Sequence, residues 1–328
     1  MTKRPSGLLV LLSAAIMSDP SLSQTAADAW PTKPVMFVVA STAGAAQDIE
    51  TRLYINRLGE LLPGKTFLID YKPGAGGSIA AALVAKSAPD GHMLLTCSPG
   101  FVIAPLAYAV LPYDPVRSFA PVSHMSKRPS IFLVHPSVPA KNMQEYIAYA
   151  RANPGKLNAG TSAVGGIAEL ALSWLHHQAG INVTLIHYKG AAPSYNAVMA
   201  KEVDAVMGGT SAMLPHVKTG KVRLLGVATP ERVAALPDVP TIAEQGLPGY
   251  EYYNWIGYVA AAGTPAAIVG RISAELAKVT QTSSIAQKLA ADGALMVGST
   301  PEQFRQYLAE NHARWRNVVQ TTGVKLAQ

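Results

Sequence analysis

The stretch Thr66-Phe67-Leu68-Ile69-Asp70-Tyr71-Lys72-Pro73-Gly74-Ala75-Gly76-Gly77-Ser78 decides the fold. Its first six residues are rich in apolar and aromatic side chains and predict a strand, the next seven are a small-residue loop, and residues 79–88 follow as an Ala-rich helix. The same unit stands immediately upstream. Val35-Met36-Phe37-Val38-Val39 predicts a strand, Ala40 to Ala46 a loop of small residues, and residues 49–62 a helix by their apolar spacing. Downstream, the Asp90-Gly91 turn leads into a strand over residues 93–97. Strands alternating with helices predict a doubly wound α/β sheet, read here as parallel, with ligands at the strand C-terminal ends.

The pattern restarts after Ser130. Strands are expected at 131–134, 157–160, 183–187, 203–207 and 222–228, with helices at 143–152, 167–178, 194–200 and 213–219 between them. Residues 229–250 hold Pro230, Pro237, Pro240 and Pro248 with little periodicity and read as a surface connection. An aromatic strand at 252–259 and helices at 265–280 and 301–321 complete the chain, Thr264-Pro265 and Thr300-Pro301 marking the helix starts. These last elements cannot form a sheet of their own. The expected architecture is α/β with two lobes, a ligand cleft between them and a two-segment hinge. Lobe one takes residues 28–127 plus 247–328, and lobe two 128–246.

A chain of 328 residues that is 49% hydrophobic and 14% charged can bury two cores of ordinary size. Lys3 and Arg4, followed by the apolar run Gly7 to Met17, have the pattern of a cleaved secretory signal occupying residues 1–27. That run is shorter than the ~20 residues a spanning helix needs. Small residues suit cleavage at Ser21-x-Ser23 or Thr25-x-Ala27, and no cysteine near that junction supports a lipid anchor. The sole cysteine, Cys97, is read as a buried small hydrophobe. The net charge of +7 is spread thinly, without a run of five Lys or Arg, so nucleic acid and membrane surfaces are poor partners and steering of anions is a better use.

Two loops open predicted helices after predicted strands: loop one, Ala43 to Asp48 with Gly44 and Ala45, and loop two, Gly74 to Ser78 with Gly76 and Gly77. A third, Gly160 to Gly166 with Thr161 and Ser162, does so in the other lobe. Small side chains let an anion reach backbone N–H groups at the positive end of a helix. Neutral donors are therefore expected to outweigh salt bridges. Neither glycine-rich loop has the Lys-Ser/Thr of a P-loop or the spacing G-x-G-x-x-G. Gly160-Thr161-Ser162-Ala163 approaches a nucleophile elbow but has Val164 where Gly is required. His176-His177 has no metal-binding companions and reads as a surface pair. Trp255 is the best of the strand aromatics for stacking on a ligand. No cofactor and no metal are expected.

The chain resembles the Bug family, the substrate-binding receptors of tripartite tricarboxylate transporters. Trp30-Pro31-Thr32-Lys33-Pro34, Lys72-Pro73-Gly74-Ala75-Gly76-Gly77, Leu111-Pro112-Tyr113-Asp114-Pro115, Asn153-Pro154-Gly155-Lys156-Leu157-Asn158 and Leu236-Pro237-Asp238-Val239-Pro240-Thr241 carry the resemblance, in order along the chain. It implies the two-lobed periplasmic-binding-protein fold and a periplasmic, non-enzymatic, monomeric receptor that hands a small carboxylate to membrane permease subunits. It further implies ligand contacts at Ser41, Thr42, Gly44, Ala45 and Asp48, at loop two through Ser78, and at Ser98, Thr161, Ser162, Gly166 and Tyr188. The loop after Val206 joins them through Gly208 and Gly209. Ser41 stands where the family tends to have phenylalanine, and Gly208-Gly209-Thr210 where an aspartate is frequent. The missing acid favours a ligand with only anionic ends. The space left by Ser41 and Gly208 is compatible with a bulky or aromatic dicarboxylate, such as terephthalate, as well as with an aliphatic one. Two other readings remain: a hydrolase using Ser98 or Ser162, and a sensor that reports ligand to a membrane partner.

Overall fold

The computed structural model describes residues 27–107, 111–162, 166–291 and 293–324. The signal segment expected over residues 1–27 lies outside them except for Ala27, as do Ala163 and Val164.

Three βα units open the described chain. Strand β1 (Val35–Val39) leads to helix α1 (Ala46–Leu61), β2 (Phe67–Tyr71) to α2 (Ser78–Ala85), and β3 (Met93–Cys97) to α3 (Pro99–Ala107). Strand β1 is paired parallel to both β2 and β3. The chain then enters one long strand, β4 (Phe119–Val134). Helix α4 (Met143–Ala152), β5 (Asn158–Thr161), α5 (Ile167–Ala179), β6 (Thr184–His187), α6 (Ala191–Met199), β7 (Ala205–Gly209), α7 (Thr210–Lys218) and β8 (Arg223–Val227) form the middle of the chain. After a connection without helices come β9 (Tyr253–Ala261), α8 (Ala266–Thr280), α9 (Ser283–Ala291), the two-residue β10 (Leu295–Met296) and α10 (Pro301–Thr322).

Among the described residues the strands form one sheet in the order β2-β1-β3-β9-β4-β7-β5-β6, with β8 and β10 also on β4. The sheet is mixed, which corrects the expectation of an all-parallel one. Strand β9 returns from the far end of the sequence and inserts antiparallel between β3 and β4. No short crossover has to place it there, so the parallel rule that governs βαβ units does not apply.

Strand β4 pairs with β9 over Phe119 to Pro129, then with β7 and β8 over Ser130 to Val134, and so belongs to both lobes. The second crossing lies beside it. Ala228 N donates to Ser130 O (2.8 Å) and Tyr252 N to Ala228 O (2.6 Å), so three segments meet where the lobes join. Behind the first lobe, Phe37, Tyr54 and Tyr258 pack with Leu276 from α8, and behind the second, Leu133, Val206 and Met213 form a separate core. Tyr258 donates to Thr51 Oγ1 (3.0 Å), tying α1 to β9.

Local expectations hold at one helix start and fail at another. Thr300 caps α10 with a reciprocal pair, Gln303 N to Thr300 Oγ1 (3.2 Å) and Thr300 N to Gln303 Oε1 (2.9 Å). Thr264 does not cap α8. Pro265 holds the cap position and the Thr264 hydroxyl donates to Ala261 O (2.8 Å). His176 is buried on α5, against the expectation of a surface pair, and only His177 is exposed. Consecutive helix residues point about 100° apart, and His176 takes the inward position. Cys97 is buried as expected, and burial pushes its thiol up.

Candidate functional site

Each strand that ends at the cleft hands over to a helix through residues too small to obstruct it. Gly74, Gly76 and Gly77 in loop two have φ of +120°, +62° and +94°, a region L side chains rarely occupy. That run turns sharply enough for Gly77 N to donate to Gly74 O (2.9 Å) and then starts α2 at Ser78. Loop two rests on the start of α3, where a Cβ on Gly100 would stand 2.8 Å from Gly76 O.

Loop one is held by Asp48. Its carboxylate accepts from Gly44 N (2.7 Å) and from the Tyr71 hydroxyl, and lies 2.7 Å from Arg52 Nε. Burial alone would raise this acid, but the Gly44 amide, the Tyr71 hydroxyl and the Arg52 guanidinium together hold it below the usual carboxylate range.

Two adjoining cavities lie where the strand ends converge. The larger, about 360 Å³, is lined by Ser41, Ala45 and Gln47 from loop one and the α1 start, Gly76 and Gly77 from loop two, Ser98, and Trp255 with Ile256 from β9. It falls in the usual range for small-molecule sites. The smaller, about 140 Å³, is lined by Ser130, Ser162, Ser194, Tyr195, Gly208, Gly209 and Tyr252. Arg128 and Asn254 line both.

Of the residues expected at the site, Ser41, Ala45, Gly76, Gly77, Ser98 and Trp255 are brought to the first cavity, and Ser162, Gly208 and Gly209 to the second. The other seven do not line either. Thr42 and Gly44 are exposed in loop one, and Asp48 is turned inward to hold that loop. Ser78 is buried as the first residue of α2, Thr161 is buried at the end of β5, and Gly166 caps α5. Tyr188 lies 3.5 Å from Glu202 Oε2 through its hydroxyl.

Sequence reasoning missed Gln47, Arg128, Asn254, Ser194 and Tyr195. Gln47 was within reach, sitting in the first turn of the helix that loop one opens. The rest depend on which strands and helices meet.

The first cavity is rich in unengaged polar groups. The Ser41 hydroxyl, the Gln47 side-chain oxygen and Trp255 Nε1 are buried without a hydrogen-bond partner among the described residues. Trp255 is 1% exposed, its ring packed edge-on to Phe304 (5.9 Å) and Tyr307 (5.7 Å). The first N–H groups of α1 and α2 have no partner inside their helices and carry partial positive charge at residues that line or adjoin the first cavity. Arg128 is the one charged side chain lining either cavity among the described residues, and its guanidinium stands 2.8 Å from Glu50 Oε2. The Tyr195 hydroxyl accepts from Gly209 N (3.0 Å), and burial raises it against that contact. Most of the groups named can donate, with the Gln47 side-chain oxygen an acceptor among them. No imidazole or carboxylate lines it among the described residues, so Ser98 and Ser162 have no base beside them there. Among those residues there is also no cluster of three His, Cys, Asp or Glu able to hold a metal.

Comparison with known proteins agrees with this geometry. Residues 52–324 match the tripartite tricarboxylate transporter family receptor, TctC. Protein BugT of Bordetella pertussis is 29% identical over 324 residues, covering 97% of this chain and 98% of its own. Among solved structures, Rpa4515 of R. palustris with adipate is similar at 34% identity and a TM-score of 0.77, over 90% of this chain and 99% of the other. MatC from Rhodopseudomonas palustris with bound malate is similar at 29% identity and a TM-score of 0.73, over 88% and 100%. Described on its own residues as a donor-lined cleft between two α/β lobes, and matched over most of its length, the chain belongs to the Bug/TctC family of tripartite tricarboxylate transporter receptors.

Proposed function

We propose that the protein captures a small dicarboxylate in the periplasm and delivers it to the permease subunits of a tripartite tricarboxylate transporter. One observation carries this reading. Two cavities that present donors and a guanidinium, but no acid among the described residues, meet at Arg128 and Asn254, which suits a ligand with an anion at each end. The adipate and malate held by similar structures are ligands of that form.

Ser41 lining the larger cavity leaves room for a ring, so aromatic dicarboxylates such as terephthalate are included. Ligand contact at the nine expected residues that line the cavities, lobe boundaries at 28–127 plus 247–328 and 128–246, and removal of residues 1–27 on export are parts of the same proposal. A thermal-shift screen of the exported protein tests it, because a ligand that binds the native state raises the melting temperature by mass action. Adipate, malate or terephthalate should raise it while amines and neutral amides do not. Hydrolysis of carboxylate esters by the same preparation would replace the receptor reading with the hydrolase one.

A further inference from the structure

Glu50 has a place in this cleft that ligand contact does not explain. It is on α1, wholly buried at 0% exposure, and lines neither cavity. The Tyr54 hydroxyl donates to its Oε1 (2.7 Å), and Tyr54 is itself fixed edge-on to Tyr258 in the core of the first lobe. Its Oε2 stands 2.8 Å from Arg128 Nη1 but accepts no aligned hydrogen bond. Arg128 has five N–H donors. Among the described residues none makes an aligned hydrogen bond, and the side chain is 17% exposed. Its guanidinium therefore touches a fixed carboxylate on one side and lines the ligand space on the other.

The geometry points to Glu50 as a specificity-determining residue that never meets the ligand: it offsets the charge of Arg128, so that the cleft discriminates carboxylates by how many charges they carry. This deepens the proposed function and rests on it. A lone buried guanidinium would attract any anion strongly, and attract a trianion more than a dianion. With Glu50 behind it, the cationic group presents donors to a ligand while the pair is near neutral. A ligand must then satisfy its charge mainly through the helix N-termini and hydroxyls. Removing Glu50 leaves Arg128 uncompensated in the empty protein, and an anionic ligand restores the balance. Binding should tighten most for the most highly charged ligand.

The test is calorimetric titration of wild type, Glu50→Gln, Arg128→Gln and Arg128→Lys with hexanoate, adipate and tricarballylate, which carry one, two and three carboxylates. Glu50→Gln should raise the preference for adipate over hexanoate by about fivefold, and for tricarballylate over hexanoate by more. Arg128→Gln should weaken adipate at least about tenfold and reduce both preferences, with Arg128→Lys in between. A purely structural role for Glu50 would lower stability and weaken all three ligands by the same factor. Unchanged preferences in Glu50→Gln, or in Arg128→Gln, overturn the inference. If Arg128→Gln does not fold, the Glu50→Gln and Arg128→Lys preferences decide alone. Should wild type bind none of these three, nor malate or terephthalate, the proposed function fails with the inference; where malate or terephthalate is the dianion bound, it replaces adipate in the same comparison. Should wild type bind adipate while the preferences stay fixed, only the inference fails.

Discussion

Arg128 in β4 stands opposite Asn254 in β9 as its cross-strand partner, and among the described residues these two alone line both cavities of the cleft. Each points to the same face of the sheet because directly paired residues do so. The pair lies just before Pro129 and Ser130, where β4 passes from one lobe to the other. A ligand held there would touch the strand that joins the two lobes.

Two glycine variants separate blocked access from a displaced loop. A Cβ on Gly76 meets nothing within 4 Å, whereas one on Gly100 stands 2.8 Å from Gly76 O. Gly76→Val should weaken dicarboxylate binding by well over about tenfold and cost about 1–2 kcal/mol of stability from its positive φ. Gly100→Ala should lower affinity and also destabilise by about 1–3 kcal/mol, because backbone must shift. Calorimetry and urea melts of both variants check this; a Gly100→Ala protein with wild-type stability and affinity would show that the contact is not tight.

Hydroxyl and pocket-size effects should differ by ligand. Ser162→Ala should weaken binding about tenfold, the ratio that ~1.4 kcal/mol represents. Ser41→Phe should cost terephthalate more affinity than malate, since the ring would fill space in the larger cavity that Ser41 lines. Equal losses on the two ligands would contradict a size role for Ser41.

Much of this fold could be read from the sequence, and the gaps have physical causes. The first three strands and helix α4 stand close to where periodicity placed them, because apolar runs and punctuating glycines coincide there. Strand β4 was read only over its last four residues. Its earlier part carries Pro121 and Pro129, alternates into Ser123, His124, Ser126 and Arg128, and has two register shifts, all of which imitate a loop. Helix α3 was missed because Gly100 and Pro105 interrupt it, and α9 because it is short and dominated by Ala and Ser. The glycine-rich loop two lines the larger cavity, and its position was legible because small residues after a strand serve one local purpose. Arg128 and Asn254 are 126 positions apart on strands whose neighbours only the tertiary fold selects, so no local pattern marks them.

Loop one should loosen in acid and on loss of Asp48. Because its carboxyl is held below the usual range, Asp48 contributes stability that is present above the ordinary aspartate value near about 3.9 and is lost as pH falls through the lower folded value. Asp48→Asn should cost about 1–3 kcal/mol by leaving the Gly44 amide and Arg52 imperfectly matched, and should weaken binding although Asp48 lines neither cavity. Denaturant melts at pH 7 and titrations of the variant give both numbers; unchanged affinity would separate loop one from the ligand.

Two buried histidines predict acid sensitivity at milder pH. Burial lowers His124 to about 4 and His176 to about 3, from an ordinary value near 6.5. The unfolded chain therefore takes up protons that the folded one refuses as pH falls from 6.5 toward 4. Stability is complete above about 6.5 and falls by up to ~1.4 kcal/mol per pH unit for each histidine across that window. His176→Leu should flatten the slope by one histidine's share. A slope identical to wild type between pH 6 and 4.5 would mean that His176 reaches water in the native state.

Hydrogen exchange with and without saturating adipate tests most directly whether a dicarboxylate is clasped between the two lobes at Arg128 and Asn254. The account predicts slowed exchange at once in residues 40–47 and 74–78 of the first lobe and in residues 191–195 and 208–210 of the second. Protection confined to one lobe, or appearing away from these loops, would contradict it.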